Sequence, residues 1–323
     1  MMNVVVALVT TVLIAGVVSP AAAEKWDMAS GYPESNYHTQ NVQQFIEDVR
    51  KATGGKLEIQ LHSNQALFKL PEIKRAVQSR QVPIGEVLLV QFGNEDPMFE
   101  VSSIPFLADD YKKAKKLYDI TRPLLDERLG KQSIRLLYAV PWPPQAFYTK
   151  TPLNMMADVR GVKFRSYNAV TARMAELMGA IPTTIPFSEI PQAFGTGLVG
   201  MMFTSAQTGI DAQAWDYTKY VTMVGGNHSL NAVLVNDGAF KRLPGDVQAA
   251  VLDAAARAEA RGWKMSEEVT AKHVQVLKDK GMVVTEPSAE FHAQLQKVGL
   301  ALTEEWEKKA GDTGQVVVRK FRE

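Results

Sequence analysis

The residue in this chain best suited to do chemistry is Arg165. It ends the stretch Asp158-Val-Arg-Gly-Val-Lys-Phe-Arg165, which runs on into Ser166-Tyr-Asn168. Val162 and Phe164 alternate with Lys163 and Arg165, the period of a half-buried strand, so Arg165 points to the face opposite Phe164. A guanidinium held in such a strand needs an anion. Its rigid fork matches a carboxylate with two parallel charge-assisted hydrogen bonds, and it keeps its charge at physiological pH. Two partners fit that requirement: an Asp or Glu of the same chain, the commoner fate of an arginine, or the carboxylate of a small ligand.

Other patterns with chemical potential fail on their context. Gly195-Thr-Gly-Leu-Val-Gly200 matches Gly-x-Gly-x-x-Gly, but it follows a helix-like run and enters a strand. Phosphate cradling needs a strand before and a helix N-terminus after, so no nucleotide is expected. The histidines His38, His62, His228, His273 and His292 lack metal-ligand spacing, and there is no cysteine to complete a thiolate site. The acid pairs Asp109-Asp110, Glu267-Glu268 and Glu304-Glu305 sit in polar helical or turn stretches and read as solvated faces. No Gly-x-Ser-x-Gly elbow or neighbouring histidine supplies a nucleophile with its base, which leaves a secreted hydrolase as a weak alternative. The expectation is a binding protein, not an enzyme, with no cofactor and no metal.

A chain of 323 residues that is 46% hydrophobic with a formal charge of +1 is long enough for two domains. Without a basic tract or an aromatic-plus-arginine run it carries no footprint for nucleic acid. Met1–Ala23 reads as an export signal: an uncharged Val/Leu/Ile-rich run from Val4 to Val18, then Pro20 and Ala21-Ala22-Ala23, with cleavage before Glu24. The segment ahead of the apolar run has no Lys or Arg, which a start codon placed too far downstream explains. A retained anchor is the rival reading, although the run is short of the ~20 apolar residues that spanning takes. Export permits disulfides, yet with no cysteine the fold must rest on its core.

The elements that must hold Arg165 alternate. Strands are expected at Trp26–Ser30, Lys56–His62, Ile84–Val90, Ser133–Val140, Val162–Ser166 and Val199–Thr204. Helices are expected at Asn36–Thr53, from Pro71 to Arg80, from Tyr111 to Leu129, from Asn168 to Met178 and from Ser188. That order predicts an α/β fold with largely parallel sheets. The break Pro141-Trp-Pro-Pro144 marks a crossing between domains. Pro244 to Asp279 reads as one long helix with a possible break near Gly262, Met282–Glu286 as a strand and Ser288–Lys309 as a last helix.

The sequence resembles the substrate-binding proteins of tripartite ATP-independent periplasmic (TRAP) transporters, the DctP type. The markers are Phe45-Ile-Glu-Asp-Val-Arg-Lys-Ala-Thr-Gly-Gly-Lys-Leu-Glu-Ile59, Ser103-Ile-Pro-Phe-Leu107, the Arg165 segment, Met178-Gly-Ala-x-Pro182 with Pro186-Phe-Ser-Glu189, and Leu243-Pro-Gly-Asp-Val-Gln248. Each is loose alone, while their shared order and spacing over nearly the whole mature chain are specific. The resemblance implies a two-lobed periplasmic binding protein, each lobe a sheet flanked by helices, with a long C-terminal scaffold helix. Residues 1–23 are the signal, 24–142 with 232–272 the first lobe, and 143–231 with 273–323 the second. It also implies a periplasmic protein that closes on an organic acid and delivers it to TRAP membrane subunits; a monomer is expected, although the chain leaves the oligomeric state open. A ligand-dependent sensor would use the same clamshell.

In such proteins the arginine matching Arg165 holds the ligand carboxylate. Gln145 in Trp142-Pro-Pro-Gln145 stands where some relatives carry a second arginine, which points to a monocarboxylate. Phe187 matches an aromatic residue that covers the ligand. In Val199-Gly-Met-Met-Phe-Thr-Ser205, Phe203 and Thr204 replace an acid and an asparagine. With Trp142, Trp215 and Tyr32 also placed at the pocket by the resemblance, the wall looks aromatic. The expected ligand is an apolar or aromatic 2-oxo or 2-hydroxy monocarboxylate.

Overall fold

Trp26 and Met28 turn inward between exposed Lys25 and Asp27, and this alternation makes the first strand, β1 (Glu24–Ala29), in a computed structural model that describes residues 23–323. The expected export signal lies, but for its last residue, outside the described residues. Helix α1 (Tyr37–Ala52) starts at Asn36, whose side chain accepts from the His38 N–H at 2.8 Å, and buries Val42, Phe45 and Val49. Gly54 and Gly55, at φ 59° and 80°, turn the chain with left-handed backbone that glycine adopts freely. Strand β2 (Leu57–His62) then pairs parallel to β1, Trp26 opposite Ile59.

The helix expected over residues 71–80 is shorter. A 3₁₀ turn at Leu70–Glu72 precedes α2 (Ile73–Gln78), and Arg80 at φ 63° ends it. There follow β3 (Ile84–Leu88), α3 (Tyr111–Gly130) and β4 (Ile134–Pro141). Beyond the proline-rich crossing come β5 (Gln145–Thr149), β6 (Lys163–Ser166), α4 (Ala169–Leu177), β7 (Ile181–Thr184), α5 (Ile190–Gly195), β8 (Met201–Ser205), α6 (Ala206–Asp211) and β9 (Tyr220–Met223). The chain then returns through β10 (Leu230–Asn236) and α7 (Asp237–Arg242) to α8 (Gly245–Asp279), β11 (Val283–Thr285) and α9 (Ala289–Arg322).

Two sheets result, in the orders β2-β1-β3-β10-β4 and β11-β9-β5-β8-β6-β7. They are mixed, where largely parallel sheets were expected. Strand β10 runs antiparallel to β3 and β4, and β5 antiparallel to β8 and β9. The cause is the crossing itself. Parallel neighbours need a helical crossover that returns the chain to the starting edge, whereas β5 and β10 each enter their sheet directly from the other lobe and run away from the cleft. The parallel strands β1, β3, β6 and β8 therefore aim their carboxyl ends at the cleft, where ligands of open α/β sheets bind.

Helix α8 is continuous through Gly262, about 50 Å long at 1.5 Å per residue. A side chain at 262 would meet Val140 and Asn41, so glycine there lets the helix lie directly on β4 and α1. Farther along, α8 packs on α6 and β11 of the second lobe, so one helix braces both. Helix α9 extends past the expected end at Lys309, but Gly311 (φ 61°, ψ −146°) breaks it into two helical segments. It packs against α3 of one lobe and α4 of the other. No helix among the described residues is long and apolar enough to cross a membrane.

Candidate ligand-binding site

Strand β6 presents its two faces as the alternation requires. Phe164 is fully buried against the Phe147 ring, and Arg165, only 2% exposed, lines a cavity between the lobes. The Arg165 Nε donates to the Ile185 carbonyl at 3.0 Å, and its guanidinium lies 5.2 Å from the centre of the Tyr167 ring. No Asp or Glu among the described residues forms an ion pair with it. Burial pulls its pKa down to about 10, partly offset by the surrounding Tyr167, Tyr217 and Tyr32. Arg165 is therefore a charged, desolvated group at neutral pH whose terminal nitrogens are uncommitted, so the internal salt bridge left open by the sequence is absent.

Of the eight residues expected at the site, six line this cavity: Tyr32, Trp142, Gln145, Arg165, Phe187 and Thr204. Two do not. Phe203 neighbours Thr204 on β8 and so faces the other way, into the core against Phe147 (centroids 4.9 Å apart) and Gly226. Trp215 lies on a 3₁₀ turn at the outer side of the second lobe, where the Lys280 ammonium sits 5.1 Å from its ring. Residues the sequence reading missed include Gln91, Tyr167, Thr208 and Ser229. Tyr167 was within reach, since it stands two residues beyond Arg165 and both lie near the carboxyl end of β6.

The first lobe's wall is fixed from behind by a buried polar network. Asn231 Oδ1 accepts from Trp142 Nε1 at 2.8 Å and from the Tyr32 hydroxyl at 3.4 Å, while Asn231 Nδ2 donates to Glu86 at 3.1 Å. Glu86 also accepts from Ser30 Oγ at 2.6 Å. Burial raises the Glu86 carboxyl and drives His38, 3.8 Å away, well below the usual histidine range, so His38 is neutral. The rings are held together as a unit, Tyr32 edge-on to Trp142 at 5.0 Å and facing Phe187 of the other lobe at 6.1 Å.

The cavity measures about 50 Å³. A water molecule needs roughly 10–15 Å³ by the same measure, so the space suits a small molecule and little more. Its lining carries one cation, no carboxylate, the carboxamides of Gln91 and Gln145, and several hydroxyls. Among the described residues no group of three or more His, Asp or Glu could hold a metal ion.

The sequence model of bacterial extracellular solute-binding protein, family 7 (DctP), matches residues 28–309. The chain belongs to this family. It is similar in structure to DctP7 of Bordetella pertussis, an extracytoplasmic solute receptor binding pyroglutamic acid, with 47% identity, a TM-score of 0.91, and 93% of this chain and 100% of that one covered. DctP6 of the same organism, also a pyroglutamic acid receptor, gives 43% identity, a TM-score of 0.90 and coverage of 92% and 99%. The C4-dicarboxylate-binding periplasmic protein DctP of Rhodobacter capsulatus is 28% identical over 259 residues, 77% of this chain and 74% of that protein. The DctP family consists of extracytoplasmic solute-binding proteins of TRAP transporters, not of enzymes, and relatives bind small carboxylates.

One further feature of this DctP-family chain joins its lobes beside the cavity. Asn36, the cap of α1, donates through Nδ2 to Asp211 at the end of α6 at 2.7 Å, and Gln207 Nε2 donates to the other oxygen at 2.8 Å. Burial pushes the Asp211 carboxyl up to about 6, against the lowering effect of those two donors.

Proposed function

We propose that this chain is a periplasmic receptor for a small cyclic monocarboxylate, pyroglutamate foremost, which it holds by an Arg165–carboxylate clamp and delivers to TRAP membrane subunits. Arg165 carries the proposal: it is buried and charged without a counter-ion, an arrangement whose cost a ligand carboxylate removes. A second carboxylate would have no cation in the lining, which disfavours the dicarboxylates bound by more distant family members. An α-ammonium would have no anion, which disfavours free amino acids. In place of the apolar or aromatic 2-oxo or 2-hydroxy acid expected from the sequence, the carboxamides of Gln91 and Gln145 favour a lactam acid. The pyroglutamic acid receptors at 47% and 43% identity support the same choice.

Capture is a closure of two lobes, residues 24–142 with 232–272 and 143–231 with 273–323, over the acid, with α8 bracing both. The test is a thermal-shift comparison of the mature chain with pyroglutamate, glutamate, proline and glutarate. A ligand bound only by the folded state raises the melting temperature by mass action. Stabilisation by pyroglutamate and by none of the other three is expected. Equal or greater stabilisation by glutarate or glutamate would overturn the proposal.

A further inference from the structure

We infer that Gln91 sets the ligand's chemical class by accepting a hydrogen bond from a neutral N–H, so that the receptor takes a lactam acid and rejects the isosteric lactone or cyclic ketone acid. The inference rests on the monocarboxylate reading above and deepens it. Gln91 lies on the 3₁₀ turn Leu89–Phe92, directly after the carboxyl end of β3, and lines the cavity from the first lobe while Arg165 lines it from the second.

Its Oε1 is buried and has no hydrogen-bond partner. Of the buried side-chain atoms left unpartnered among the described residues, it alone belongs to a residue of this cavity. Several other polar groups of the lining have partners: Tyr32 and Trp142 share Asn231, Tyr167 meets Ser229 Oγ at 3.3 Å, and Gln145 Nε2 donates to the Pro143 carbonyl at 3.2 Å, while the terminal nitrogens of Arg165 are left for the carboxylate. Buried polar atoms are nearly always satisfied, so an orphan acceptor on a residue that lines the cavity marks a place for a ligand donor.

The donor's type follows from its surroundings. An ammonium would enter a site with no carboxylate, and a hydroxyl, able to accept as well as donate, would exert little selection. An amide N–H donates only, stays neutral and suits an unpaired carbonyl oxygen. A ligand with a carboxylate for Arg165 and an N–H for Gln91 touches both lobes, so recognition of the N–H is coupled to closure. A lactone keeps the shape but turns a ring oxygen toward Gln91 and leaves two acceptors facing each other.

The test is isothermal titration of the full mature chain with pyroglutamate and with its lactone isostere, 5-oxotetrahydrofuran-2-carboxylate, for the wild type, Gln91→Met and Gln91→Asn. Met conserves volume without the acceptor, and Asn keeps the amide but withdraws it by one methylene. The wild type is expected to prefer the lactam by about tenfold or more, the scale of one unsatisfied buried polar group. Both variants should bring the two affinities within about threefold, mainly by weakening the lactam. A wild type that binds both acids alike, or variants that keep the full preference, overturns the role of Gln91 while leaving the monocarboxylate reading intact. Binding of neither acid by the wild type overturns that reading, and this inference with it.

Discussion

Replacing Asp211 by Asn should remove a pH-dependent weakness from the contact between the lobes. The carboxyl is raised from 3.8 to about 6, chiefly by burial. A carboxyl with a raised folded-state pKa favours the folded form when protonated. Its contribution is fully present below the unfolded value and is lost as pH rises through about 6. A shift of about two units at 1.36 kcal/mol each gives an upper bound of about 3 kcal/mol lost between pH 4 and pH 7.5. Asn at this position needs no desolvation of charge. Its Oδ1 accepts from Asn36, and its Nδ2 can donate to Gln207 Oε1, which is buried without a partner, once that amide rotates. Calorimetric melting between pH 4.5 and 8 should show the wild type losing ground relative to D211N as pH rises, with D211N melting a few degrees higher at pH 7.5. Since Asn36 and Asp211 sit on different lobes, ligand affinity in the wild type should also weaken over this range more than in D211N. Parallel pH profiles for the two proteins, or a D211N variant less stable at pH 7.5, would refute the reasoning.

The reassignment of two aromatic residues can be checked directly. Phe203→Leu should destabilise the fold by about 1 kcal/mol or more through lost packing against Phe147, and titration should find ligand affinity within about threefold of the wild type. Trp215→Ala should leave affinity unchanged and alter only the tryptophan emission. Gly262→Val should wedge α8 away from Val140 and Asn41, lowering stability by about 1–3 kcal/mol in a denaturant melt. Asn231→Leu, which strips partners from Trp142, Tyr32 and Glu86 together, should weaken binding through a loosened wall, measurable as a faster dissociation rate.

Much of this was legible in the sequence because burial leaves a periodic trace. The alternation around Arg165 predicted both its strand and its face, and Asn36, Gly54 and Gly55 bounded α1 where the cap and turn lie. What escaped has physical causes. Strand β10 is buried along its whole length, so it lacks the alternation that marks a half-buried strand, and its antiparallel direction follows from the route of the chain. Strand β7 has four residues, includes Pro182 and pairs only with β6, which leaves little signal. Gln91 lies beyond the end of a strand on a turn, and nothing in its local pattern shows that it lines the same cavity as Arg165. Phe203 could have been placed from alternation alone: it is adjacent to Thr204, and neighbours on a strand cannot share a wall.

The central claim is that Arg165 waits for a carboxylate. Calorimetric titration of pyroglutamate into the wild type, Arg165→Ala and Arg165→Lys tests it most directly. Breaking a buried charge pair by removing one partner costs about 3–5 kcal/mol, so the Ala variant should bind at least about a hundredfold more weakly. Lys, a point charge without the fork, should not restore the affinity. Affinities within about threefold of one another across the three proteins would mean that the acid is held elsewhere and that Arg165 only supports the fold.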